Sequence, residues 1–201
     1  MRSLAPLLVL LASPAIAEDQ RELDAHEHGT GALNIAQDGT TIAMELQVPG
    51  ADIVGFEYEA TSAEDLAAIE TALMLLAQPL SLFEVPEGAE CRVVEASAML
   101  ESEDEHDNHE DEDHDEHDEH DEHDEHDEHD THAEGDTSHT EFHAEYMLTC
   151  ASPDALTNIS FAYFDTFENA QELIVQIVTA SGAQAFDVER DAPTLDVSGL
   201  F

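Results

Sequence analysis

The sequence predicts a β-rich α+β fold: a single domain of antiparallel strands with one prominent helix and a long disordered His/Asp/Glu-rich hairpin insertion. Three observations carry that expectation. Apolar and polar residues alternate over several short stretches bounded by turn residues, which is the period of a half-buried strand. One stretch after Ser62 repeats its apolar residues at helical spacing instead. A segment at 101–140 is dominated by acids and histidines and has nothing sizeable to bury, so it is expected to be extended and disordered.

The elements follow in chain order. Residues 1–17 read as a secretory signal peptide: Arg2, an apolar run from Leu4 to Ala12, then the small-x-small triplet Ala15-Ile16-Ala17. The run is too short to span a bilayer, and cleavage after Ala17 leaves a domain at 18–201. Leu33 and Ile35, the turn pair Asp38-Gly39, then Ile42, Met44, Leu46 and Val48 predict a hairpin that Pro49-Gly50 ends. Ser62 caps a helix with Asp65 three residues on; Leu66, Ile69, Leu73 and Leu76 line one face, and Pro79 marks its stop. Cys91 to Leu100 and Glu141 to Cys150 read as strands flanking the 101–140 insertion. If Cys91 and Cys150 lie opposite one another, Val93–Leu148, Glu95–Tyr146, Ser97–Ala144 and Met99–Phe142 become cross-strand pairs. Ile159 to Phe164, Leu173 to Thr179 and Ala183 to Val188 complete the strands, with the tail from Thr194 as an edge.

Charge narrows the partners. The chain has 49 acids against 4 bases, a formal net charge of −45, and no lysine. Such a surface repels nucleic acid and anionic lipid and gathers cations, so neither nucleic-acid binding nor membrane insertion is expected. The two cysteines, in an exported chain, are expected to form one disulfide.

All thirteen histidines are candidate metal ligands. His114, His117, His120, His123, His126, His129 and His132 recur every third residue among Asp and Glu, with His106 and His109 ahead of them. Imidazole suits Zn²⁺, and carboxylates complete a tetrahedral shell or orient the rings from outside it. A polyproline-II strand, with three residues per turn, aligns such histidines along one edge. Closer to the fold, His26 and His28 stand two apart, as do Glu141 and His143, with His139 a further two residues before them. Each pair supplies half of a tetrahedral shell, so His26 and His28 are expected to join His139 or His143 in one site. Glu57, Glu70 and Glu84 have no ligand spacing and read as solvated or capping groups.

The chain resembles the ZrgA-type periplasmic zinc-binding proteins. The likeness rests on His26-Glu27-His28-Gly29, Leu33-Asn34-Ile35-Ala36, Glu45-Leu46, Pro49, and Ile53-Val54-Gly55-Phe56-Glu57. The helix, Leu82-Phe83 before Cys91, the histidine–acid insertion and Phe164 through Val178 continue it. The resemblance implies a protein that assists zinc acquisition in Gram-negative bacteria, and it implies that His26 and His28 form the family's His-x-His-Gly element. Tyr58 departs from the pattern, since a histidine commonly follows Gly-Phe-Glu in that family.

These readings converge on a periplasmic protein that captures Zn²⁺ and assists its uptake by a high-affinity transporter, with the substrate-binding component of a zinc ABC transporter as the expected partner. A passive periplasmic buffer for zinc, copper or nickel is the alternative. No Gly-rich phosphate loop, G-x-S-x-G or H-E-x-x-H is present, and the chain is not expected to be an enzyme.

Overall fold

A computed structural model describes residues 28–102 and 139–201. The expected signal peptide at 1–17, His26 and the histidines from His106 to His132 lie outside the described residues.

The predicted hairpin forms as β1 (Thr30–Asp38) and β2 (Thr41–Pro49), paired from Asp38↔Thr41 to Ala32↔Gln47. After the short helices and turns that follow, β4 (Cys91–Ser102) and β5 (Thr140–Cys150) form the second hairpin. Both strands run into the stretch assigned to the insertion, with Ser102 opposite Thr140. With β7 (Glu172–Thr179) and β8 (Gly182–Glu189) they build a six-stranded sheet ordered β4-β5-β2-β1-β7-β8. Its neighbours are antiparallel except β1 and β7, whose parallel pairing needs the long crossover that the intervening chain supplies. Two-residue β3 (Phe83–Glu84), β6 (Asn158–Phe161) and β9 (Thr194–Asp196) form a second sheet, ordered β3-β6-β9. The tail is thus an edge, as expected. Only Ile159 to Phe161 of the expected strand pairs, because Tyr163–Thr166 turns into a short helix that buries Tyr163 and Phe164.

The main sheet is two-faced. Leu33, Ile35, Ile42, Leu46, Phe142, Leu148, Leu173 and Val175 bury their side chains on the inner face. Phe83, Phe161, Tyr163, Phe164 and Phe167 pack into the same core in tilted and edge-on ring contacts. The outer face is open and acidic: Glu45 stands opposite Glu145, and Glu101 opposite Glu141. Burial of alternating side chains on one face supplies most of the driving force, at roughly 25 cal/mol per Å² of apolar surface.

Two expectations need correction. Cys91 does face Cys150 and Val93 does face Leu148, but a bulge between Val93 and Glu95 then shifts the register by one. Ala96, Ala98 and Leu100 therefore turn inward opposite Tyr146, Ala144 and Phe142, while Glu95, Ser97 and Met99 face outward. A strand that puts Cys91 and Leu100 on one face must change parity once, and the extra residue Val94 does this. The helix Ala63–Leu76 is capped as predicted, with the Asp65 amide donating to Ser62 Oγ at 3.0 Å. Its inner face, however, is Ile69, Ala72, Leu73 and Leu76, and Leu66 is exposed. The disulfide between Cys91 and Cys150 is formed.

Candidate metal-binding site

The site begins at the end of β2. Pro49 cannot continue the ladder, and Gly50–Val54 becomes helix α1. Gly50 is packed so closely that a Cβ there would meet Thr140 Oγ1 at 2.4 Å and the Phe56 carbonyl at 2.8 Å. The neighbours of those two residues in sequence are His139 and Glu57. Asn169 braces the same turn by donating its side-chain amide to the Ala51 carbonyl at 3.1 Å.

On the other side, the Gly29 amide donates to Asp52 Oδ1 at 2.8 Å, and the Gly29 carbonyl accepts from the amides of Gln171 and Glu172. Gly29 has φ 93°, a left-handed conformation that a side chain would strain. That is a physical reason for glycine after the His-x-His pair: the next residue must turn under three hydrogen bonds, and His28 is set by that turn.

The outcome is a convergence of three chain segments. His28 Nε2 lies 3.2 Å from Glu57 Oε2, and His139 Nδ1 lies 2.9 Å from the same oxygen. Glu57 is only 12% exposed, and its other oxygen, Oε1, is buried without a hydrogen-bond partner. This overturns the reading of Glu57 as a solvated group. His28 and His139 thus approach the same Glu57 oxygen, while His26 lies outside the described residues. His143 stands apart: it faces outward on β5, with Nε2 2.6 Å from Glu141 and 3.3 Å from Glu101. The hydrogen bond that its ring N–H donates to the Glu141 carboxylate raises its pKa above the usual imidazole range, against the desolvation that lowers it. Burial raises the pKa of Asp52, opposed by the Gly29 hydrogen bond and the nearby His28.

Two imidazoles on one carboxylate form a donor set suited to a borderline divalent metal. In a tetrahedral shell with bonds of about 2.0–2.1 Å, ligand atoms stand roughly 3.3 Å apart. The 2.9 and 3.2 Å separations are close to that edge, so little movement would separate the donors around an ion. As they stand, His139 hydrogen-bonds to Glu57 with His28 at ion-pair distance, and among the described residues no group of three or more His, Cys, Asp or Glu is arranged to hold a metal ion outright. A hollow of about 550 Å³ on the outer sheet face, between Ala36, Glu45, Glu95 and Met147, is lined by none of the described histidines. Shape therefore does not mark the histidine site; donor convergence does. Among the described residues, no helix is long and apolar enough to cross a membrane.

Imidazole and carboxylate brought together on a strand-rich frame define a candidate transition-metal binder. Comparison with known families makes the class specific. The family described as ZrgA family zinc uptake protein matches residues 25–197, and the chain belongs to it. No curated protein matches the chain. The matched span takes in His26, His28, Glu57, both disulfide cysteines and the entire acid–histidine segment.

Proposed function

We propose that the chain is a periplasmic zinc-capture protein that gathers Zn²⁺ on its acid–histidine segment, holds it on the folded domain, and delivers it to the substrate-binding component of a zinc ABC transporter. The observation that carries this reading is the convergence of His28 and His139 on Glu57 in a member of a zinc uptake family. Residues 1–17 act as the export signal, and no bond-making chemistry is needed, so the protein is not an enzyme.

The division of labour follows from entropy. His106, His109 and the histidines from His114 to His132 are many, equivalent and flanked by acids, which favours several weak, fast-exchanging ions. The folded donors are already placed by the hydrogen bonds around Gly29 and the packing of Gly50, so less freedom is lost when they bind. His26, two residues before His28, supplies the remaining imidazole. The segment acts as a net and the folded site as a holder.

The test replaces residues 103–138 by a short turn, which the pairing of Ser102 with Thr140 allows. Zinc titration is expected to lose most sites and keep a single tight one. In a zinc-starved deletion strain, the intact chain should restore growth in chelator and the His28→Ala/His139→Ala chain should not. Unchanged stoichiometry in the shortened chain would remove the capture role from the segment. Protection against metal excess without any growth benefit under chelator would instead make the protein a passive buffer.

A further inference from the structure

A second buried carboxylate lies close to His28 and Glu57. Asp52, on α1, is 2% exposed. One oxygen, Oδ1, accepts the Gly29 amide hydrogen, while Oδ2 is buried with no hydrogen-bond partner. The inner oxygen of Glu57 is buried and unpartnered in the same way. Glu57 and His28 both lie close enough to act on Asp52.

Such an arrangement is costly. A buried acceptor left without a partner gives up its hydration with nothing in exchange, and the loss is greater if it is charged. The described residues contain two bases, Arg92 and Arg190. Arg190 donates its guanidinium hydrogens to the carbonyls of Phe164, Phe167 and Ala170, so it braces backbone and pairs with no acid among the described residues. Asparagine at position 52 could accept the same Gly29 hydrogen without a charge. The acid is therefore explained by something other than the turn.

Charge arithmetic suggests what that is. Two carboxylates beside two neutral imidazoles carry two negative charges, which one divalent ion neutralises. With Glu57 alone, a bound zinc ion would leave an excess positive charge in a half-buried position, which low-dielectric surroundings disfavour. Asp52 also sets position. Its bond to Gly29 fixes the turn that carries His28, and Gly50 of the same helix packs against Thr140 and Phe56, the neighbours of His139 and Glu57.

We propose that Asp52 is the positioning and charge-setting residue of the His28–Glu57–His139 site: it holds His28 through Gly29 and supplies the second negative charge that suits the site to a divalent ion. The proposal rests on the reading of that site as the zinc holder. It separates two effects that substitution can resolve. Asp52→Asn keeps an acceptor for Gly29 and removes the charge; Asp52→Ala removes both.

The experiment measures, in the full exported chain, the affinity of the tightest zinc class by competition with a chromophoric chelator, together with the melting temperature of the metal-free protein. Asp52→Asn is expected to weaken the tight class about 10- to 100-fold, the usual effect of removing a residue that supports metal ligands. Its metal-free melting temperature should stay equal or rise, because a buried charge is gone. Asp52→Ala should weaken binding at least as much and also melt lower. Unchanged affinity in Asp52→Asn, or affinity that falls only in step with melting temperature in both variants, would overturn the role. The double variant His28→Ala/His139→Ala is run alongside. If it loses the tight class while Asp52→Asn keeps it, the site stands and the role of Asp52 falls. If the double variant also keeps it, the holder site itself falls.

Discussion

Replacing both Cys91 and Cys150 by alanine should remove a large share of the domain's stability without touching its zinc chemistry. The two residues face each other at the base of the β4–β5 hairpin and are 59 apart in sequence. In the chain-entropy account, a cross-link closing a loop of that length withholds about 4 kcal/mol of conformational freedom from the unfolded chain at 25 °C. Native strand pairing from Arg92↔Thr149 onward closes the same loop in the folded state, so the loss falls mainly on the unfolded side. For a domain of this size the change corresponds to a fall in melting temperature of roughly 8–16 °C. Urea unfolding of the two proteins, both free of zinc, would read it directly. A loss below about 1 kcal/mol would refute the loop-closure reasoning and mean that the acid-rich segment restricts the unfolded chain little, whether or not its ends are joined. A tight zinc affinity that changed with the disulfide would contradict the separation of hairpin base from metal site.

Other expectations are as direct. Glu57→Ala should weaken the tight zinc class at least 10-fold in chelator competition, since it removes the one group that both imidazoles share. Gly50→Ala should cost about 1–3 kcal/mol in urea unfolding and weaken zinc binding together, because the added methyl pushes on Thr140 and Phe56 at once. Ser62→Ala should cost about 1 kcal/mol, the usual value of a lost N-cap, and leave zinc binding alone. His143 has its folded pKa raised above the unfolded value, so its contribution to stability is complete below that unfolded value and is lost as pH rises through the folded one. His143→Gln should flatten the decline in stability across that window, as followed by thermal melts at several pH values.

β1, β2, β5 and β7 were legible in the sequence because their inner faces alternate strictly, and the Cys91–Cys150 pairing then placed β4 against β5. The bulge at Val94 was not legible: both parities of β4 carry apolar residues, and only the packing of Ala96, Ala98 and Leu100 against the core decides between them. Leu66 misled for a related reason, since the helix Ala63–Leu76 is apolar on several sides and Ala72 proved the better fit to the core. Of the site, the histidines were readable and the carboxylate was not. His139 and Glu57 are 82 residues apart and meet only through the crossing of β2, α1 and β5, which no spacing rule records. A weak signal was present: Asp52 is an acid in an apolar run between Gly50 and Gly55, the kind of residue that a core tolerates only with a purpose.

The most direct test of the central claim is anomalous diffraction at the zinc edge from crystals of the chain with residues 103–138 replaced by a short turn, grown with one equivalent of Zn²⁺. The account predicts one strong peak within bonding distance of His28, His139 and Glu57. A peak at His143 and Glu141 with none at Glu57, or zinc found only at crystal contacts, would contradict it.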